Sequence, residues 1–554
     1  MSSITETDSN SDPRFLSDAY LRLRTAITRL VEQGADANDR NGKNDNTAPT
    51  LPAPARVQAA LSALPKPGQA DYLQPRGTRA ALDHILDTVV PALNGQNLSG
   101  RYYGFVTGSV LPVAEAADNI VTALDQNLHA HLPAQTVSTS VEAAALQMLA
   151  DVFGLGNGDW TGRIFTTGAT ASNVLGLAMG REAVISNRLQ LRRGASGKTA
   201  DSVAAAPNAV AELGLLRACQ EAGVSDIRIL TSMGHSSLYK AASIVGLGRA
   251  ALVDLPYSDT EPWRLDISAV EKTLADASRF VGKEGKSGSS VAYIISVSAG
   301  EINTGRFATT GLADMQRLRV LADKYGAWIH VDAAFGLFTR ALPDTPEFAR
   351  IRQYTDGLEL ADSITSDGHK LLNVPYDAGI FFSRHARLQS EIFQNANAAY
   401  LTGGAAGSTS DRDGPSVPSP MNVGIENSRR FRALPVYAVL LSEGREGLAA
   451  ILASMVRLAR GIRQILRKLP EYETFGDEDT DDDTHIGVLF WAKDEAINAD
   501  LATRINASRQ MYVSPTAWRG RPACRVAVSS WRVAEGDLQV VETVLRNAVA
   551  RGDS

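Results

Sequence analysis

The sequence predicts an α/β protein built on a mostly parallel sheet, and three observations carry that prediction. Short apolar runs rich in β-branched and aromatic residues, "IRIL" (227–230), "VAYIISV" (291–297), "AWIHV" (327–331) and "GIFF" (379–382), recur between about residues 155 and 385. Stretches of helical length and spacing, "NVLGLAMGREAV" (173–184) and "GLADMQRLRVLADKYG" (311–326), separate them. Small and polar residues cluster just past the apolar runs, and functional groups gather at the C-terminal ends of strands in open parallel sheets.

With 554 residues, 44% of them hydrophobic, the chain is long enough for two or three domains. Residues 1–55 read as a disordered and helical tail with a linker: polar at 1–12, helical in "DAYLRLRTAITRLVEQG" (18–34), and Asn/Asp/Pro-rich over 35–55. A helical segment over 56–120, a large α/β domain over 121–430 and a small α+β domain over 431–554 follow. "GASGKTADSVAAAPNA" (194–209) reads as a surface excursion. The acidic run "GDEDTDDDTH" (476–485) lacks the glycine and terminal glutamate of a calcium-binding loop, and is expected to be a solvated loop.

A net charge of −6 with dispersed Lys and Arg argues against nucleic acid and anionic membranes as partners. Cys219 and Cys524 are the only cysteines and form no CxxC, so neither a disulfide framework nor a cysteine-based metal site is expected. The N-terminus has no basic and apolar leader pattern, and no apolar run reaches the ~18 residues of a membrane span. A soluble, cytoplasmic protein is expected.

Four stretches carry chemistry. In "IFTTGATASN" (164–173), Thr167, Gly168, Ala169 and Thr170 stand between an apolar run and a helix, where free N–H groups and the helix dipole favour an anion; an ordinary small-residue helix start is the alternative. In "TSMGHSSLYKAA" (231–242), His235 either lies on a ligand ring or is satisfied by nearby backbone. In "WIHVDAAFG" (328–336), Asp332 ends a strongly apolar strand and needs a cationic partner, unless it caps the next turn. In "SITSDGHKLLNVPYDAG" (363–379), Lys370 is a surface charge, an ion-pair partner or an amine made nucleophilic by enclosure. An anion clamp, a stacking histidine, an acid for a ring nitrogen and an aldehyde-reactive amine together fit pyridoxal 5′-phosphate (PLP).

From about Phe105 to Arg532 the chain resembles the group II PLP-dependent decarboxylases, which act on aromatic L-amino acids, tyrosine, histidine or glutamate. "HVDAAFG", "DGHKLLNVPYDAG", "SRRFRALPVYA" and "SPTAWRGRP" are the most specific words. The resemblance implies an aspartate-aminotransferase-like architecture (PLP fold type I), a homodimer with shared active sites, and a set of roles. Lys370 is the aldimine lysine, with Asp367 and His369 beside it. Asp332 meets the pyridine nitrogen, Ala334 and His235 lie on the two ring faces, and Gly168, Ala169 and Thr170 hold the phosphate. Ser298, in "SVSAGEINTG", stands where a threonine is usual. Phe105 and Thr107, in "YYGFVTGSVLP", match positions near the substrate carboxylate. "DQNLHAHLPAQT" (125–136) matches a segment that enters the neighbouring subunit's site, making His129 and His131 substrate-contact candidates, with interface packing as the alternative.

The departures from the family pattern are specific. Glu301 and Ile302 replace a common Thr-Thr pair, and Glu301 faces either the pocket or solvent. Leu371 follows the lysine where tryptophan is frequent, and Gly104 leaves room where an aromatic often sits. The segment 400–420 matches a loop that usually offers a proton-donating tyrosine, yet its middle, "STSDRDG", has none and Tyr400 lies at its start. The expected reaction is decarboxylation of an amino acid, aromatic by resemblance, to an amine through a quinonoid. Oxidative deamination to an aldehyde is the alternative the missing tyrosine raises, and a non-catalytic PLP-binding paralogue is a second. No G-x-S-x-G elbow or dinucleotide fingerprint competes.

Overall fold

The computed structural model describes residues 14–38, 49–195, 209–279, 290–395, 417–476 and 480–550. It divides into two units, one of Val110–Arg460 with Glu478–Val488 and one of Met1–Ser109 with Gly461–Asp477 and Leu489–Ser554.

The larger unit is organised by a seven-stranded sheet. In chain order its strands are Gly162–Thr166 (β1), Val224–Thr231 (β2), Leu252–Asp254 (β3), Ser290–Ser298 (β4), Trp328–Asp332 (β5), Ser363–Asp367 (β6) and Gly379–Ser383 (β7). They lie in the order β1-β7-β6-β5-β4-β2-β3. β3, β2, β4, β5 and β6 pair in parallel, whereas β7 runs antiparallel to both β6 and β1. Three of the apolar runs fall inside β2, β4 and β7, and the fourth, "AWIHV", starts one residue before β5. Every residue of β5, β6 and β7 is buried, which is why β5 and β7 read as continuous runs rather than as alternation, whereas β6, "SITSD", is buried but polar.

Helix Ala169–Ala195 (α1) follows β1, Ser236–Ile244 (α2) follows β2, and Leu312–Tyr325 (α3) precedes β5. α1 supplies Leu175, Met179 and Ile185 to a core shared with Ile229, Ile294 and Trp328 from the sheet. Each such side chain removed from water contributes roughly 1.5–3 kcal/mol. The close approach of helix and sheet depends on two glycines one turn apart. A Cβ on Gly176 would lie 2.4 Å from the His330 ring, and one on Gly180 2.9 Å from Trp328 Cδ1. The register aligns Ser298 with Asp332 and Asp332 with Thr365, so the C-terminal ends of β4, β5 and β6 stand side by side.

The smaller unit holds helix Phe15–Asn38, which contains the stretch expected to be helical, and a five-stranded sheet. A buried Arg101–Asp537 pair, 2.7 Å apart, ties Arg101 to the C-terminal helix Asp537–Val549.

The acidic run departs from expectation. Residues 477–479 lie outside the description, but Asp483 accepts hydrogen bonds from Tyr354 Oη and from Arg350 Nε at 3.1 Å, and its side chain is nearly buried. It anchors the segment instead of leaving it solvated. The anchored segment carries His485 between Phe307 and Phe335, where burial pushes the imidazole down to about 3, with Arg460 acting in the same direction. Among the described residues, no group of His, Cys, Asp and Glu could hold a metal ion. No helix among them is long and apolar enough to cross a membrane.

Candidate active site

The ends of β4, β5 and β6 open into a cavity of about 370 Å³. Gly168, Ala169, Thr170, His235, Ser298, Asp332, Ala334, Asp367, His369 and Lys370, the ten candidates for cofactor contact, all line it. Thr167, Ala171, Ser237, Gly300, Ile302, Phe335 and Tyr376 complete the wall. Ala171, Ser237, Phe335 and Tyr376 lie within the four stretches that carry chemistry, although the sequence does not single them out, and Gly300 lies in the "SVSAGEINTG" stretch.

Lys370 sits on a single helical turn, Gly368–Leu371, directly after β6. Its Nζ is 2.9 Å from Asp367 Oδ2 and 5.8 Å from the centroid of the Phe335 ring. The other Asp367 oxygen accepts the Ala169 N–H at 2.7 Å. That donor at the start of α1 is therefore engaged, contrary to the expectation that the helix start offers only free N–H groups. The next N–H groups, of Thr170 and Ala171, belong to the first turn, where no intrahelical acceptor exists. One carboxylate thus fixes both the amine and the anion end of the cavity by charge-assisted bonds.

His369 accepts the Ala378 N–H on Nδ1 at 3.2 Å and stacks on Tyr376 with centroids 4.1 Å apart. Burial lowers its pKa, Asp367 opposes that shift, and Lys370 adds to it. His235 caps α2: its Nδ1 accepts the Ser237 N–H at 3.2 Å and lies 2.8 Å from Ser237 Oγ. The backbone-satisfied reading of this histidine holds, and its ring lines the cavity as well.

Asp332 ends β5 and is 7% exposed. Oδ2 accepts from Asn173 Nδ2 at 2.8 Å and Oδ1 from the Ala334 N–H at 3.3 Å. Among the described residues no cation pairs with it. A buried carboxylate held only by neutral donors is costly unless something positive completes it.

Two expectations fail on packing. Glu301 faces neither pocket nor solvent: it is 4% exposed and accepts from Asn303 N, Thr304 N and Thr304 Oγ1, closing its own turn. Gly104 does not leave open room, because a Cβ there would lie 2.4 Å from Cε1 of Tyr512, whose ring stacks on Tyr102 at 4.6 Å. Phe105 and Thr107 belong to the smaller unit. Phe105 is exposed and its N–H donates to Ser514 Oγ, while the Thr107 carbonyl accepts from Ser529 Oγ. In the larger unit, His131 Nδ1 meets Thr139 Oγ1 at 2.8 Å and His129 Nδ1 meets Asn127 Oδ1 at 3.1 Å. Neither is among the residues that line the cavity. Tyr400 and residues 396–416 lie outside the description.

A family profile described as "Pyridoxal-dependent decarboxylase conserved domain" matches residues 217–493, half of the chain. The chain belongs to this family. An L-2,4-diaminobutyrate decarboxylase from Acinetobacter baumannii is 25% identical over 358 residues, 64% of this chain and 61% of that protein. Tryptophan decarboxylase 1 from Oryza sativa subsp. japonica is 25% identical over 518 residues, 88% and 87% of the two chains. The chain spans between about half and two-thirds of the length of the first curated relatives it matches. The crystal structure of Oryza sativa TDC with PLP and tryptamine shares the fold, with a TM-score of 0.73, 20% identity and 98% of each chain covered.

The cavity fits the cofactor of this pyridoxal-dependent family. Its volume lies in the range of small-molecule sites. Its donor set has an amine at Lys370, a carboxylate without a cation at Asp332, and first-turn N–H groups at Thr170 and Ala171.

Proposed function

We propose that this protein decarboxylates an L-amino acid with an aromatic side chain, releasing the amine and carbon dioxide, with PLP held in the 370 Å³ cavity. The observation that carries the reading is Asp332, a buried carboxylate that shares a cavity with the Lys370 amine and has only neutral donors. A protonated ring nitrogen is the charge that would complete it.

In this reading Lys370 would form the covalent link, Thr170 with the start of α1 would hold the phosphate, His235 and Ala334 would pack against the ring, and Ser298, Asp367 and His369 would stand beside it. The bound cofactor supplies an electron sink for the bond being broken. Asp332 keeps a positive charge at the ring nitrogen, and Asp367 holds the Lys370 ammonium in place until the amine is needed. Phe335, Tyr376 and Ile302 give the cavity an apolar and aromatic wall, which supports an aromatic substrate side chain. Phe105, Thr107 and His131 are proposed substrate contacts on the family resemblance. The same resemblance supports a homodimer, and so do exposed Ile120, Leu124 and Val137, which flank the 125–136 segment.

The test is borohydride reduction of the protein loaded with PLP, followed by peptide mass analysis, with carbon dioxide, amine and peroxide measured over a panel of amino acids. An adduct on Lys370, equimolar amine and carbon dioxide, and a loss of at least about 10³-fold in Lys370→Ala are expected. Absence of an adduct would defeat the reading, and stoichiometric peroxide without amine would replace it with oxidative deamination.

A further inference from the structure

The residues behind Asp332 form a continuous polar chain, and its direction can be deduced. An indole N–H can only donate. Trp328 Nε1 donates to Ser363 Oγ at 3.1 Å. The Ser363 proton goes to His330 Nδ1, 2.8 Å away, because the Asp332 carboxylate can only accept, which turns Asn173 Nδ2 to it and Asn173 Oδ1 to His330 Nε2. With Nδ1 accepting, a neutral imidazole carries its proton on Nε2, which donates to Asn173 Oδ1 at 2.9 Å. In that amide orientation Asn173 Nδ2 donates to Asp332 Oδ2 at 2.8 Å and to Ser237 Oγ at 3.1 Å. His235 Nδ1 already accepts the Ser237 backbone N–H, which places the His235 proton on Nε2, and the Ser237 hydroxyl 2.8 Å away only adds to that contact.

We infer that Trp328, Ser363, His330 and Asn173 are positioning residues, a one-way hydrogen-bond chain that sets the orientation of Asp332; this rests on the function proposed above. The chain starts on the first residue of β5 and returns to that strand's last residue. Ser363, His330 and Asn173 are each 0% exposed. Burial holds His330 down at about 4, against the pull of Asp332, so the ring stays neutral and can pass polarity in one direction. Gly176 leaves the space the ring occupies. Apolar side chains would fill the same volume at less risk, because a buried polar network is tolerable only when every member is satisfied. Here each member is satisfied, and Asp332 Oδ2 is engaged while Oδ1 has only the long 3.3 Å contact to Ala334 N. Oδ1 is therefore the oxygen left to meet a ring nitrogen.

The test uses the PLP-loaded enzyme carrying ¹⁵N-labelled histidine, with Ser363→Ala breaking the second link by removal of one hydroxyl. The cofactor dissociation constant should rise about tenfold, the lower end of what removing outer-shell partners does at metal sites. The pH midpoint of the bound cofactor's visible absorbance should shift, and KM for the amino acid should hold. His330→Gln, which can still accept and donate, should restore much of the effect that His330→Phe loses. Trp328→Phe gives the same readouts if Ser363→Ala does not fold. Wild-type dissociation constants and midpoints in both Ser363→Ala and His330→Phe would overturn the inference, as would ¹⁵N shifts placing the His330 proton on Nδ1. A wild-type protein that forms no Lys370 adduct defeats the proposed function instead, and the ¹⁵N measurement still decides the direction of the chain.

Discussion

The two ends of the seven-stranded sheet both carry a cavity and a buried aspartate, and they treat the aspartate differently. At the N-terminal end, a groove of about 840 Å³ is lined by Asp362, Arg319, His385 and Trp328 among others. Asp362 accepts from Arg319 Nη1 at 3.0 Å, His385 Nε2 at 3.1 Å and Ile329 N at 2.8 Å. Burial raises its pKa, but the His385 bond and the Arg319 charge outweigh that and hold it below the usual carboxylate range. At the C-terminal end the cavity is less than half that size, and Asp332 receives only an amide and a backbone N–H. Size alone would favour the N-terminal end. Charge accounting favours the other: among the described residues Asp362 has cationic partners and Asp332 has none.

The contrast can be tested by removing each carboxylate. Asp332→Ala should lower kcat by about 10³-fold, near 4 kcal/mol, because a fixed charge opposite the reacting group is lost. Its urea unfolding midpoint should move by less than the equivalent of about 1 kcal/mol, since the carboxylate left without a cation is gone. Asp362→Ala should do the reverse, losing about 3 kcal/mol of stability by stranding Arg319 and the Ile329 N–H while kcat stays within about threefold. If Asp362→Ala cost as much turnover as Asp332→Ala, the distinction between the two ends would not survive.

Acid should expose the same division through the buried histidines. Burial lowers His330 to about 4 and His485 to about 3. The unfolded chain takes up protons as pH falls through about 6.5 while the folded chain does not, so the stability these rings contribute is complete above about 6.5 and is lost below it. Roughly 3 kcal/mol per histidine should disappear between pH 6.5 and 4. Urea titrations at several pH values should show this slope, and His485→Phe should remove about half of it; an unchanged slope would assign the acid sensitivity elsewhere. A smaller effect is expected from Gly176→Ala, about 2 kcal/mol, because the new methyl meets a ring that its hydrogen bonds hold in place. Melting temperatures would check this, and a neutral outcome would mean that His330 has freedom to move.

Much of the larger unit was legible from the chain. Apolar runs marked most of the inner strands because burial on both faces removes polar alternation; Asp332 and His235 stood out as polar groups just past such runs, and Lys370 as a lone cation among small and polar residues. The rest depended on register and packing. Asn173, His330, Ser363 and Ser237 are scattered over nearly 200 residues and meet only because β5 and β6 pair in parallel with α1 laid across them. Gly104 looked like added space because the ring that fills it comes from Tyr512, far along the sequence. Glu301 looked like a pocket or solvent residue because a carboxylate folding back onto its own turn leaves no periodic trace.

The antiparallel β7 has a consequence for synthesis. β1 finds its neighbour in the sheet only in residues 379–383, more than two hundred positions later. A nascent chain still lacking that segment holds the turn at Thr167–Thr170 on an unpaired strand, and Lys370, the proposed Schiff-base residue, emerges only shortly before the segment that locks the turn in place. Vitamin capture should therefore be one of the last events on the ribosome, and fragments ending before residue 379 should neither retain the coenzyme nor resist proteolysis.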